Sequence, residues 1–229
     1  MIIMNKKIAF FDIDGVIYDG HIMLEQIKLQ EKSGLLVKGT WNKIFIEAVK
    51  YKLHLKKYKD AANSLLNIHA MSLKNKDYKN IEDNVYQYIF KHESDFFSYF
   101  KKIIPLLKET HDICLVTNNF QFTCEAVGKL FKIDKYISSI AEVEDGNFTG
   151  RVKLSLVGKK GIISELINCY DPKGSIAVGS SLNDTDMLDK VEFPFVMEPD
   201  KQTKKVANEK SWNIVNRNNI VEKILLRIS

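Results

Sequence analysis

The sequence predicts an α/β fold: a doubly wound parallel-sheet core with an inserted, mostly α-helical cap. Three observations predict it. Four short, unbroken apolar runs each end at polar residues, as strands buried on both faces of a parallel sheet do. Amphipathic helical stretches separate several of these runs. Between the first two runs lies a stretch of roughly 75 residues with helical periodicity and no convincing strand, far too long for an ordinary connection.

The first run is Ile8-Ala9-Phe10-Phe11, ending at Asp12. The inserted stretch follows, from about Gly20 to about Asp95. Ile44, Ala48 and Tyr51, then Ala61, Leu65 and Ile68, then Val85 and Ile89 fall on helical stripes. These limits divide the chain into a core of residues 1–19 and 96–229 and a cap of residues 20–95. Phe96 to Leu107 returns the chain to the sheet. The second run is Ile113-Cys114-Leu115-Val116, ending at Thr117. A helix is expected from Gln121 to Phe131, with Phe122, Ala126 and Leu130 on one stripe. Asp145-Gly146 between strand-like flanks is a hairpin signal. Lys160 to Tyr170 reads as a helix with Ile162, Ile163, Leu166 and Ile167 inward. Ser175 to Val178 and Phe195 to Met197 are the last two runs. No internal repeat is evident.

Composition excludes several classes. The chain has 229 residues, 45% of them hydrophobic, enough for one large domain or a core with an inserted module. No apolar run approaches the roughly 18–20 residues of a membrane span. The opening apolar residues precede Asn5, Lys6 and Lys7, the reverse of a signal peptide's order, so a cytoplasmic protein is expected. Cys114, Cys124 and Cys169 form no CxxC pair, which argues against a disulfide framework or zinc site. The net charge is +5, yet only Arg151, Arg217 and Arg227 among 34 basic residues are arginine. Dispersed lysine reads as a solvated surface rather than a nucleic-acid interface, which favours arginine's planar fork. The five histidines show no metal-ligand spacing. No feature of the sequence assigns an oligomeric state.

Four features sit at or just past predicted strand ends, where ligands bind in open α/β sheets. In FFDIDGV, Asp12 and Asp14 place two carboxylates at the sheet edge. Close carboxylates repel unless a cation neutralises them, and magnesium prefers such hard oxygen ligands. In LVTNN, Thr117 offers a hydroxyl, and the following amides and helix start favour an anion. In GKKGII, Lys159 or Lys160 could neutralise a phosphoryl group. In VGSSLNDTDML, Ser180, Asn183 and Asp184 follow a strand in a tight loop, with Asp184 a candidate magnesium ligand. Each has a plainer reading: an Asp-rich turn, a strand-end threonine, solvated lysines, an Asx turn capping a helix.

Taken in order, DxDGV, strand-Thr, Lys and GSxxND resemble the haloacid dehalogenase-like superfamily of phosphohydrolases. The helical insert looks like that family's first-position cap, its core being Rossmann-like. The stretch EVEDGNFTGRV is similar to the hairpin of the phosphoserine-phosphatase-like branch. The resemblance implies that Asp12 attacks phosphorus to form an aspartyl-phosphate, and that Asp14 protonates the leaving oxygen and then activates water. It implies that Thr117 and a lysine hold the phosphoryl oxygens, with Gly15, Asn118, Lys160 and Asn183 as further phosphate-binding candidates. Lys159 is preferred as the catalytic lysine, because Ile162 and Ile163 follow it at the branch's spacing. Mg2+ would be held by Asp12, Asp14 through its main-chain carbonyl, Ser180 and Asp184. The substrate implied is a small phosphorylated metabolite.

Two departures from the pattern stand out. Ser180 replaces the aspartate that usually follows the glycine of the fourth motif, which leaves more of the coordination to Asp184. His21 stands where the phosphoserine branch carries a glutamate, and no arginine precedes Arg151, so phosphoserine itself is disfavoured. A phosphotransferase sharing the aspartyl-phosphate, or a non-catalytic phosphate-ligand-binding protein on this fold, are the alternatives. Tyr18, His21 and Trp41 are cap aromatics that could line the pocket or serve helix packing.

Overall fold

A computed structural model describes residues 6–157 and 161–228. The chain runs from β1 (Lys7–Asp12) into four helices, α1 (Ile22–Lys32), α2 (Thr40–Lys52), α3 (Tyr58–Leu73) and α4 (Tyr78–Lys91). It returns through α5 (Ser98–Lys108) to β2 (His111–Phe120), α6 (Gln121–Phe131) and the strands β3 (Lys135–Glu144) and β4 (Asn147–Leu154). Then come α7 (Gly161–Ile167), β5 (Ile176–Gly179), a 3₁₀ turn at Leu182–Asp184 and α8 (Thr185–Leu188). β6 (Phe193–Met197), α9 (Lys201–Glu209), β7 (Asn213–Val215) and α10 (Ile220–Ile228) complete it.

The seven strands form one sheet in the order β4-β3-β2-β1-β5-β6-β7, parallel except for β4. β1 is central, and its alternation divides the core. Ala9 and Phe11 face a cluster with α5, α6 and α10, whereas Ile8 and Phe10 face α7, α8 and α9. Helices therefore cover both faces, as the buried apolar runs require. The chain leaves β1 toward β2 on one side and, from β5, proceeds toward β6 on the other. A sheet of this kind opens a crevice at the carboxyl ends of the strands where the order reverses.

Asp145 and Gly146 both have positive φ, 49° and 79°, and connect the paired residues Glu144 and Asn147. That is the two-residue turn whose twist suits a hairpin. The inserted helices rest on this hairpin. Asn75 N–H donates to Phe148 O (2.8 Å), and Phe148 N–H donates to Lys76 O (2.9 Å). A Cβ at Gly150 would stand 2.9 Å from Lys74 Cβ, so glycine permits the close approach. The helical cap also shares its core with the sheet: Ile22, Ile44, Leu66 and Val85 join Phe11 and Phe120 in one apolar cluster. The two connections to the cap lie side by side, with Asp19 N–H donating to Asp95 O and Phe97 N–H to Ile17 O, both 2.9 Å.

Candidate active site

Register brings the strand-end residues together. Asp12 ends β1 opposite Val116, one residue before Thr117, and Phe11 lies opposite Val178, one residue before Gly179. Past Asp12 the chain folds into a turn closed by Gly15 N–H to Tyr18 O (2.9 Å) and Ile17 N–H to Ile13 O (3.0 Å). Gly15 occupies φ +73°, which a side chain would strain, and it stands against Ser180. The turn carries Asp14 to the first residue of α1. Ile22 N–H donates to Asp14 Oδ1 (3.1 Å) and Asn119 Nδ2 donates to Asp14 Oδ2 (3.2 Å).

Thr117 is 4% exposed and Asn119 3%. Asn119 N–H donates to Thr117 Oγ1 (3.2 Å), fixing the hydroxyl oxygen at the strand end. Asn118 Nδ2 reaches the cap and donates to Tyr58 Oη (3.3 Å). In the fourth motif, Asp184 Oδ2 accepts from Ser180 N–H (2.8 Å), Ser181 N–H (2.9 Å) and Ser181 Oγ (3.2 Å). Ser181 in turn caps the 3₁₀ turn by accepting from Asn183 N–H (3.3 Å). The loop closes tightly over Gly179, where a Cβ would stand 2.4 Å from Asp184 Cβ.

Three half-buried carboxylates are thereby gathered together, and all three bind protons more tightly than usual. Burial raises the pKa of Asp12 well above the ordinary value, and the charges of Asp184 and Asp14 add to it. Burial also raises Asp14, opposed by the hydrogen bonds from Ile22 and Asn119 and by the charge of His21. Burial raises Asp184 against its serine donors. Among the described residues, no group of three or more His, Cys, Asp or Glu side chains forms a metal-binding cluster. Magnesium does not need one, because it usually takes one or two carboxylates and keeps several waters.

A cavity of about 340 Å³ lies between these strand ends and the cap. Asp12, Asp14, Thr117, Asn118, Asn183 and Asp184 line its floor, with Asn119, Ser180 and Ser181. Met23, Leu24, Ala48, Ala62, Leu65 and Leu66 are among the cap residues above it. Tyr51 and Tyr58 meet edge to face at its side, ring centroids 5.8 Å apart.

Thus Asp12, Asp14, Thr117, Asn118, Ser180, Asn183 and Asp184 share one cavity, and Gly15 packs beside Ser180. Lys159 and Lys160 lie outside the described residues. Of the cap aromatics, His21 lines the cavity. Tyr18 instead is buried and donates to Glu25 Oε2 (2.6 Å), and Trp41 packs on the apolar cluster. Two residues of the site have no role in the motifs read from the sequence, Asn119 within LVTNN and Tyr58 in the cap. Asn119 could have been found, being two residues past Thr117 on an extended segment and so on the same side. Tyr58 carries no sequence signal that separates it from the other cap tyrosines. Cys114 is buried in the sheet, and burial pushes its thiol up to about 12, too high for a nucleophile at neutral pH.

Residues 6–191 match the family model described as haloacid dehalogenase-like hydrolase. A 119-residue stretch is 29% identical to the "Inhibition of morphological differentiation protein" of Streptomyces azureus. It covers 48% of this chain and 43% of that protein, so the matched stretch spans less than half the relative's length. Among solved structures, a protein of unknown function from Bordetella pertussis Tohama I superposes with a TM-score of 0.75 at 15% identity, covering 93% of this chain and 99% of its own. A phospho-aspartyl intermediate analogue of phosphoserine phosphatase gives 0.66 at 16% identity, covering 98% and 100%. A phosphoserine phosphohydrolase-like protein from Francisella tularensis gives 0.68 at 15%, covering 96% and 99%. At such identities these likenesses are ones of fold.

Proposed function

This chain belongs to the haloacid dehalogenase-like hydrolase family, and from that premise we propose that it is a magnesium-dependent phosphatase acting on a small phosphate monoester through an aspartyl-phosphate at Asp12. The observation that carries this reading is the gathering of Asp12, Asp14, Thr117, Asn118 and Asp184 in one roofed cavity. Residues 20–95 would serve as the cap that closes on substrate, with residues 1–19 and 96–229 as the catalytic core.

The donor set fits magnesium. Three desolvated carboxylates lie together with their proton affinities raised, and none of the hydrogen bonds to Asp184 among the described residues uses Oδ1. Asp12, the Asp14 carbonyl and Asp184 would hold the ion, with Ser180 contributing only a neutral oxygen. When bound, the ion supplies positive charge against the phosphoryl oxygens and the carboxylates.

Asp12, at the rigid end of a central strand, attacks phosphorus in line with the leaving oxygen. The carboxylate nucleophile divides one difficult displacement into two easier ones. Asp14 gives its proton to the departing alkoxide. Its raised proton affinity favours the protonated form that a general acid needs. The Ile22 amide and Asn119 keep that carboxyl aimed at the cavity, so Asn119 is a positioning residue. Asp14 then takes a proton from the water that hydrolyses the aspartyl-phosphate. Thr117, Asn118, Asn183 and the backbone amides near them bind the phosphoryl oxygens, as Lys159 or Lys160 would. Such fixed dipoles and charges supply most of the rate in phosphoryl transfer. The likeness in fold to a phospho-aspartyl intermediate analogue of phosphoserine phosphatase supports the same chemistry here.

Hydrolysis of an aryl phosphate by the full chain tests this reading. Turnover should require magnesium and fall by ~10³-fold or more in Asp12→Asn. Metal-independent turnover, or an active Asp12→Asn enzyme, would reject it.

A further inference from the structure

The catalytic floor says little about what carries the phosphate, but the cap does. None of the described cap residues lining the main cavity is Lys, Arg, Asp or Glu. Aliphatic side chains from α1, α2 and α3 form the wall, with the Tyr51–Tyr58 pair at its side and His21 near Asp14. Three of the cap's carboxylates are engaged elsewhere. Glu25 accepts from Tyr18, Tyr88 and the His21 amide. Glu31 accepts from the Gly39 and Trp41 amides, and Glu47 pairs with Lys50 and Lys56. Lys57 and Lys59 line neighbouring clefts instead of this cavity. Tyr58 Oη accepts a hydrogen bond from Asn118, which turns the hydroxyl toward the catalytic floor.

A wall of this kind discriminates by desolvation. An ammonium or carboxylate moved against its aliphatic part would lose water and meet no opposite charge there, His21 standing apart at the Asp14 edge, and a polyol's hydroxyls would lose most of their partners. An alkyl or aryl group would lose nothing and bury its surface. We propose that the organic half of the substrate is uncharged and mainly apolar. Resting on the phosphatase reading above, this makes the substrate a phosphate monoester of an apolar alcohol or phenol, not of an amino acid, sugar or polyol. The cavity's 340 Å³ limits it to a phosphate and a compact apolar group.

Binding of phosphonates, which cannot be hydrolysed at the P–C bond, tests this independently of catalysis. The full chain with magnesium would be titrated calorimetrically with ethylphosphonate, hexylphosphonate and 2-amino-3-phosphonopropionate. Each buried methylene should tighten binding by up to about fourfold, so hexylphosphonate should bind at least ~10-fold more tightly than ethylphosphonate. The amino-acid phosphonate should bind more weakly than either. In Leu65→Glu the advantage of hexyl over ethyl should disappear. The wild-type series decides the matter even if that variant does not fold. Equal or tighter binding of the amino-acid phosphonate, or no gain with chain length, overturns the proposal, as does failure of all three to bind. The expected order without turnover of any phosphate ester would leave this inference standing and remove the phosphatase reading instead.

Discussion

Among the described residues, both ring nitrogens of His69 lie buried without a hydrogen-bond partner, and the ring packs against Phe120 and Phe122. Burial pushes its pKa down to about 3, against about 6.5 in an unfolded chain. The folded state therefore refuses a proton that the unfolded state accepts. Stability associated with His69 is complete above about pH 6.5 and declines as pH falls toward 3, by up to ~1.4 kcal/mol per unit. In urea unfolding, His69→Leu should gain about 2 kcal/mol on the wild type between pH 7.5 and pH 5. Parallel pH dependence in the two proteins would contradict this. The residue scale is also where the sequence was both most and least informative. Asp12, Asp14, Thr117 and Asp184 could be picked out because each follows an apolar run, and strand ends converge in a parallel sheet. The contacts of Asn119 with Asp14 and of Tyr58 with Asn118 join residues 105 and 60 positions apart, and no local pattern encodes them.

Among the elements, one carboxylate on α1 ties the outgoing crossing into the cap to α4. Tyr18 on the outgoing segment and Tyr88 on α4 both donate to Glu25 Oε2 at 2.6 Å, and the His21 amide donates to Oε1 at 3.1 Å. Burial works against the ionised form, yet the two hydroxyls and the amide outweigh it and hold the Glu25 carboxyl below its usual range. Glu25→Ala should lower stability by about 1–2 kcal/mol, read by chemical denaturation, with Glu25→Gln recovering part of the loss. An unchanged midpoint in Glu25→Ala would show that the tyrosine pair suffices, since their hydroxyls also lie 3.0 Å apart. The long elements were legible from periodicity: α6 spans Gln121–Phe131, and the inserted stretch holds four helices. β7 was not. It has three residues, Asn213–Val215, and its strand character comes from pairing with β6 rather than from any apolar run. The fit between cap and hairpin was equally hidden, because the Gly150–Lys74 contact depends on two elements meeting in space.

For the molecule as a whole, the three half-buried carboxylates link folding to protons and to metal. With pKa values raised in the fold, Asp12, Asp14 and Asp184 favour the folded state fully only below about pH 4, where even the unfolded chain holds the protons. That contribution is lost as pH rises through the raised folded values. Magnesium at 100 times its dissociation constant should add about 2.7 kcal/mol of stability. Asp12→Asn should stabilise the metal-free protein at pH 7 and shrink the magnesium-induced rise in Tm. A variant with wild-type stability and an undiminished magnesium response would place the ion elsewhere. The overall architecture was legible from alternation of buried strands and amphipathic helices, whereas the cap's docking into the same apolar cluster as Phe11 was not. Which helical stripe faces a sheet and which faces another helix is settled only by the assembled fold.

The most direct measurement is to mix the full chain with an aryl phosphate and magnesium, quench in acid within the first turnovers, and locate any covalent phosphoryl group by peptide mass spectrometry. A phosphoryl group on the peptide that carries Asp12, absent from Asp12→Asn, is the predicted result. A phosphorylated peptide lacking Asp12, or Asp12→Asn turning over substrate at the wild-type rate, would contradict it.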